Sequence, residues 1–181
     1  KCWGRNNHGQ LGTGTLDDTR APTPVTGVTG ATAIQAGYQH TCALVAGGAV
    51  KCWGANAQGQ LGNGSTTDTT VAVDVSGISG ATAIAVGANH SCAVVAGGSV
   101  KCWGSNTFGQ IGNGTNTDAT TPASVSGLSG ATSISAGYYH SCSIGPNTTI
   151  KCWGKNIYGA LGNNDPAGAD SNVPVAVVGF P

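Results

Sequence analysis

Apolar and polar positions alternate at period two in two neighbouring stretches, residues 40–45 and 49–53, on either side of Ala46-Gly47-Gly48. The alternation predicts two half-buried strands, and the glycine pair predicts a three-residue hairpin loop between them. Centring that loop on Gly47 sets the register: Cys42 opposite Cys52, Leu44 opposite Val50, Ala43 opposite Lys51, Thr41 opposite Trp53. One face of the ribbon is then wholly apolar, with Cys42, Leu44, Val50 and Cys52, while the other carries Thr41, Ala43, Lys51 and Trp53. A slip of one residue would mix the two faces, so the pattern itself specifies the pairing. A short apolar run at 33–36, bounded by Gly30 and Gly37, predicts a strand before the hairpin, and residues 71–75 predict one after its copy. No window shows the 3.6-residue period of an amphipathic helix, and 31 glycines in 181 residues argue against long helices.

The strand pattern recurs along the chain. Cys2, Cys52, Cys102 and Cys152 each open a Cys-Trp-Gly at a period of 50, and residues 1–50 and 51–100 share 28 identities without gaps. The apolar face returns as Cys92, Val94, Val100, Cys102 and again as Cys142, Ile144, Ile150, Cys152. The whole of 1–181 reads as one repeat domain with units of approximately 1–50, 51–100 and 101–150 and a partial unit over 151–181. In that last unit the loop 163–172 carries a two-residue insertion ahead of Pro174. Four strands per unit with two packable faces predict an all-β fold, a β-propeller of about three and a half blades.

Lys-Cys-Trp-Gly-x-Asn-x-x-Gly-Gln-Leu-Gly at 1–12 and 51–62, with the preceding blocks 36–44 and 86–94, resembles the RCC1-type repeat (regulator of chromosome condensation). The resemblance covers the whole chain; Ile111 in place of Leu and Ala160 in place of Gln are mild departures. It implies a seven-bladed ring for a complete or assembled form.

Six of the seven cysteines fall into pairs of one spacing, Cys42 with Cys52, Cys92 with Cys102 and Cys142 with Cys152. Opposed positions in an antiparallel ribbon bring Cβ atoms near disulfide distance, and disulfides are the expected state. The rivals are free buried thiols and a metal held by His40, Cys42 and Cys52, for which neither a fourth ligand nor a Cys-x-x-Cys spacing is visible. Cys2 is the odd one, expected to be unpaired or intermolecular. A disulfide in every unit leads to the expectation of a secreted or cell-surface, extracellular protein.

Charge and composition narrow the function. Seven basic side chains balance seven acidic ones, and only 8% of residues are charged. A neutral chain lacks the cationic footprint for nucleic acid, and its apolar runs are too short to span a membrane. Trp3, Trp53, Trp103 and Trp153 share one hairpin position and are expected to pack between blades, as are His40, His90 and His140, each bonding backbone at a blade turn. His8 lies outside this pattern and is expected in a solvated loop. Gly9-x-x-Gly12-x-Gly14 is a set of turn glycines, with no Gly-Lys-Ser/Thr to make a phosphate cradle. Asn6, Asn56, Asn106 and Asn156 are expected to bond nearby backbone. Asp18, Asp68 and Asp118 recur singly, too few for calcium, and with no glutamate in the chain no carboxylate pair suits glycoside chemistry. No catalytic residue, metal or cofactor is assigned. Asn63, Asn89, Asn113 and Asn147 open Asn-x-Ser/Thr acceptor sequences.

The polar loops 13–21, 63–71, 113–121 and 163–172 vary most between copies and are expected on one face, where a rigid scaffold presents recognition residues. The expected function is a non-enzymatic extracellular repeat scaffold, structural and self-assembling or protein-binding through that face. The resemblance adds two alternatives: a secreted, inhibitor-like binding propeller and, less favoured, a guanine nucleotide exchange factor. The expected partner is a protein or a further copy of the chain.

Overall fold

A computed structural model describes residues 1–179. The first sheet pairs β1 (Cys2–Gly4) with β2 (Thr19–Thr23). Three four-stranded antiparallel sheets follow: β3 (Ala31–Ala36), β4 (His40–Val45), β5 (Ala49–Gly54), β6 (Thr69–Asp74); β7 (Ala83–Val86), β8 (His90–Val95), β9 (Ser99–Gly104), β10 (Ala119–Ser124); and β11 (Ser133–Ala136), β12 (His140–Ile144), β13 (Ile150–Gly154), β14 (Ser171–Ala176). Each is a simple meander, the arrangement of a propeller blade. The units counted from Lys1 cut across these blades: β1 and β2 correspond to β5 and β6, so the first sheet is the outer half of a blade. The first strands β3, β7 and β11 lie beside one another from blade to blade and form the inner layer.

The hairpin register is the one the alternation specifies, with Cys42 opposite Cys52, Leu44 opposite Val50 and Thr41 opposite Trp53. It recurs in the next two blades. Disulfides join Cys42–Cys52, Cys92–Cys102 and Cys142–Cys152 across these directly opposed positions of neighbouring strands. Each closes a short ring, which stabilises the fold by about 3 kcal/mol in the chain-entropy account.

Blades stack by seating unlike faces. The Cys42, Leu44, Val50 and Cys52 face of one blade packs on Ile84, Val86, Ala93 and Trp103 of the next. The Cys92, Val94, Val100 and Cys102 face then packs on Ile134 and Trp153. Trp53, Trp103 and Trp153 are fully buried, worth about 4 kcal/mol per ring from apolar area. The indole N–H groups are satisfied by main chain of the preceding loop: Trp53 Nε1 donates to Gln10 O (2.9 Å), Trp103 Nε1 to Gln60 O (3.0 Å) and Trp153 Nε1 to Gln110 O (2.9 Å). The same carbonyls accept from Thr41 Oγ1, Ser91 Oγ and Ser141 Oγ. Gly62 has to be glycine here: its φ is +67°, and a Cβ would stand 2.7 Å from Trp103 Nε1.

The histidines use a side chain where backbone was expected. His40 Nε2 lies 2.9 Å from Ser91 Oγ, and His90 Nε2 lies 2.9 Å from Ser141 Oγ, each across a blade boundary. Since Ser91 gives its proton to Gln60 O and Ser141 gives its proton to Gln110 O, the histidines must donate. Both are therefore neutral Nε2–H tautomers, with a buried Nδ1 that has no partner. Burial, and secondarily the neighbouring imidazole, lowers His40 to about 3 and His90 to about 4.

Candidate partner-binding face

One end of the molecule gathers the turns between first and second strands (residues 37–39, 87–89, 137–139) with the long loops between third and fourth strands. The two sets are tied by backbone: Ala55 N donates to Gln39 O, Ser105 N to Asn89 O and Lys155 N to Tyr139 O. Neighbouring inner turns are linked as well, Tyr38 N to Ala88 O (3.4 Å) and Ala88 N to Tyr138 O (3.2 Å).

An asparagine frames each long loop. Asn106 Nδ2 donates to Thr115 O (2.9 Å) and Thr117 O (3.1 Å), while its Oδ1 accepts from Ile111 N (2.9 Å) and its own N–H donates to Asp118 Oδ1 (2.7 Å). Asn6 and Asn56 repeat this with Asp18 and Asp68. In the last blade the insertion moves the aspartate to Asp170, which still accepts from Asn156 N (2.8 Å). The side chain of Asn156 keeps Leu161 N and the 3.4 Å contact with Asn163 Oδ1, with no bond to a loop carbonyl. The recurring aspartates thus hold backbone and are not assembled toward a cation. His8, expected to be solvated, bonds Asp68 Oδ2 through Nδ1 at 2.8 Å and ties two loops together. The lysines of the Trp face reach the rim, Lys51 Nζ to Asp74 Oδ1 (2.7 Å) and Lys101 Nζ to Gly77 O (3.2 Å).

On this rigid frame stands an aromatic cluster that sequence reading missed. Tyr38 and Tyr138 approach with ring centroids 6.0 Å apart, Tyr138 packs edge-on against Tyr139 at 4.5 Å, and Tyr139 tilts against Phe108 at 5.1 Å. Lys155 Nζ sits 4.2 Å over the Phe108 ring and 5.1 Å from that of Tyr139, an attraction of about 1 kcal/mol at an exposed site. Tyr38 and Tyr138 are 63% and 52% exposed, so the rings meet solvent. Desolvation by the packed rings, then Tyr139 and Tyr38, hold the Tyr138 phenol above its ordinary value. The signal was in the departures from repetition: position 38 reads Tyr, Ala, Tyr in successive units, position 8 reads His, Gln, Phe, Tyr, and position 5 reads Arg, Ala, Ser, Lys.

Among the described residues no group of three or more His, Cys, Asp or Glu could hold a metal, and no helix is long and apolar enough to cross a membrane.

Comparison with known proteins places the chain. A repeat profile described as regulator of chromosome condensation (RCC1) matches residues 2–44, 47–94 and 97–144, and a second profile of the same description matches 31–60, 81–110 and 131–160. The yeast RCC1 (Prp20) solved bound to Kap60 is similar at TM-score 0.81 and 22% identity, over 97% of this chain and 43% of that one. Human WBSCR16 is similar at TM-score 0.83 and 22% identity, over 96% and 46%. Prp20p from Saccharomyces cerevisiae, described with its binding to Gsp1p and histones, gives 0.80 and 23% over 97% and 45%. The chain therefore spans less than half the length of these solved proteins. No curated protein is matched by the chain.

These findings correct the expected function and location. Prp20, solved bound to Kap60 and described with its binding to Gsp1p and histones, is at odds with the expected secreted, cell-surface or extracellular structural scaffold and with a secreted inhibitor-like propeller. The expectation of an extracellular location rests on the three disulfides alone. With its repeats matched over most of its length and its blades superposing on solved members, the chain belongs to the regulator of chromosome condensation (RCC1) repeat family.

Proposed function

We propose that the chain binds a protein partner through the face carrying Tyr38, Phe108, Tyr138, Tyr139 and Lys155. The carrying observation is the exposed aromatic cluster itself, set on backbone-bonded turns at positions where the repeat breaks. Rigid aromatic side chains with an adjacent cation are the composition of interface hot spots, because they bury large area at little cost in side-chain entropy. The relatives add the class of partner: yeast Prp20 engages Kap60, Gsp1p and histones, and a transport factor, a small GTPase of the Gsp1p kind or a core histone is the set to test. A guanine nucleotide exchange role, placed last on sequence grounds, falls within this reading as binding of the GTPase.

The test is titration calorimetry of the chain against Kap60, Gsp1p and core histones, repeated with Tyr138→Ala/Tyr139→Ala. Binding of at least one partner, weakened tenfold or more by the double substitution, is expected, since a hot spot costs more than about 1 kcal/mol when truncated. No binding by any of the three, or binding indifferent to the substitutions, overturns the reading.

A further inference from the structure

At the boundary between the last two blades, three chain positions meet at the loop end: Phe108 from a long loop, Tyr139 from the turn between first and second strands, and Lys155 just past the third strand. The equivalent positions of the two earlier boundaries share the same backbone. Ala55 N, Ser105 N and Lys155 N donate to Gln39 O, Asn89 O and Tyr139 O at 2.8, 2.8 and 2.9 Å. His8 N, Gln58 N and Phe108 N donate to the Oε1 of Gln10, Gln60 and Gln110 at 2.9, 3.0 and 2.9 Å. The side chains differ: His8, Gln39 and Ala55 at the first boundary, Gln58, Asn89 and Ser105 at the second, Phe108, Tyr139 and Lys155 at the third. Two aromatic rings and a cation thus arrive together at one boundary, on a backbone that has not changed.

The third boundary holds its cation against rings and leaves it without a counter-charge. Lys155 Nζ sits in the notch between Phe108 and Tyr139, and the half-exposed Tyr138 extends the aromatic surface beside it. Among the described residues the ion pairs are His8–Asp68 and Lys51–Asp74, and no carboxylate stands within ion-pair distance of Lys155. The acidic side chains of the two flanking loops are committed to main chain. Asp118 Oδ1 accepts from Asn106 N (2.7 Å), Asp170 Oδ1 from Asn156 N (2.8 Å), and Asp165 takes Ala167 N and Ala169 N, both at 3.0 Å. The ring faces attract the ammonium through their quadrupoles, which positions the charge without neutralising it. A basic segment would meet like charge here and reach the rings only by evicting Lys155, exchanging one cation–ring contact for another. A carboxylate meets the ammonium directly, and an apolar neighbour of that carboxylate has Tyr138 and Tyr139 to lie on.

We infer that the Phe108–Tyr139–Lys155 notch reads an acidic segment of the partner protein, with an Asp or Glu carboxylate on Lys155 Nζ and the apolar side chain next to it in sequence on Tyr138 and Tyr139. The inference rests on the partner-binding reading of this face and adds the chemistry that the face selects. One cation does not make a nucleic-acid surface, whose affinity is built from several phosphate contacts.

The test is selection of bead-displayed random hexapeptides by the labelled chain, run beside Phe108→Gln/Tyr139→Asn/Lys155→Ser. That triple variant gives the third boundary the residues of the second, side chains the fold already carries on the same backbone, and its thermal melt checks that it folds. Expected is enrichment of Asp or Glu adjacent to an aromatic or aliphatic residue, absent with the triple variant. In fluorescence anisotropy the most enriched peptide should weaken by about threefold or more when its acid is replaced by the amide, and equally with Lys155→Met. Lys155→Arg should retain the affinity, and raised salt should reduce it. Selection of basic peptides, no selection, selection shared by the triple variant, or oligothymidylate bound as tightly as the best peptide overturns the inference. A protein partner that is lost with Tyr138→Ala/Tyr139→Ala but indifferent to Lys155→Met removes this inference alone and leaves the binding face standing.

Discussion

Acidification should unfold this protein through His40 and His90, and the size of the effect follows from their surroundings. Both rings are buried, donate from Nε2 to a serine across a blade boundary, and present an unpartnered Nδ1 to the interior. The one charge bearing on His40 is His90, and on His90 it is His140, so no carboxylate is at hand to stabilise a protonated ring. Their folded values, about 3 and about 4, lie below the ordinary 6.5 of the unfolded chain. Below 6.5 the unfolded state therefore binds more protons than the native state, and stability is lost as pH falls. The loss continues down to about 4 for His90 and about 3 for His40. Each ring contributes at most about 1.4 kcal/mol per pH unit, a limit approached only well below pH 6.5, so the pair contributes about 4 kcal/mol between pH 6.5 and 4.5. That is comparable with the whole stability of an ordinary domain. The assay is urea unfolding under non-reducing conditions at several pH values in this interval, for the native chain and for His40→Asn/His90→Asn. The variant should be less stable at neutral pH and should lose the steep part of the slope. Parallel slopes for the two proteins would refute the assignment of neutral, donor-only imidazoles.

Two further outcomes test the frame. Asn106→Ala should destabilise the chain by at least 1 kcal/mol more than Asn156→Ala, because Asn106 Nδ2 bonds two loop carbonyls and Asn156 Nδ2 bonds none; paired thermal melts read the difference. Gly62→Ala should cost about 2–4 kcal/mol by driving a Cβ onto Trp103, whereas Gly77→Ala, at a similar φ of +65° but in open space, should cost about 1 kcal/mol by chemical denaturation.

What the sequence made legible was local. Register, loop length and sulfur pairing all followed from residues within a dozen positions of one another, where alternation and a glycine pair leave one arrangement that buries Cys42, Leu44, Val50 and Cys52 together. The insertion before Pro174 was also visible, and it appears in space as the longer reach from Asn156 to Asp170. What stayed hidden was the relation between units. Ser91 serves His40 from 51 residues away, and its own proton goes to Gln60; neither periodicity nor composition marks that link. Tyr38 and Tyr138 meet because the intervening blade offers only Ala88 at the same turn, a juxtaposition set by the curvature of the stack. Location was read from the same kind of local signal, the Cys42–Cys52 spacing within one ribbon.

The acceptor for each buried indole N–H is a main-chain carbonyl, that of Gln10, Gln60 or Gln110. Any amino acid supplies that oxygen. The corresponding position in the last unit has already drifted to Ala160 without surrendering an acceptor. Drift in side-chain identity along these loops is thus nearly free of mechanical consequence, and an ancestral surface could trade one clientele for another while the joints beneath it stayed unaltered.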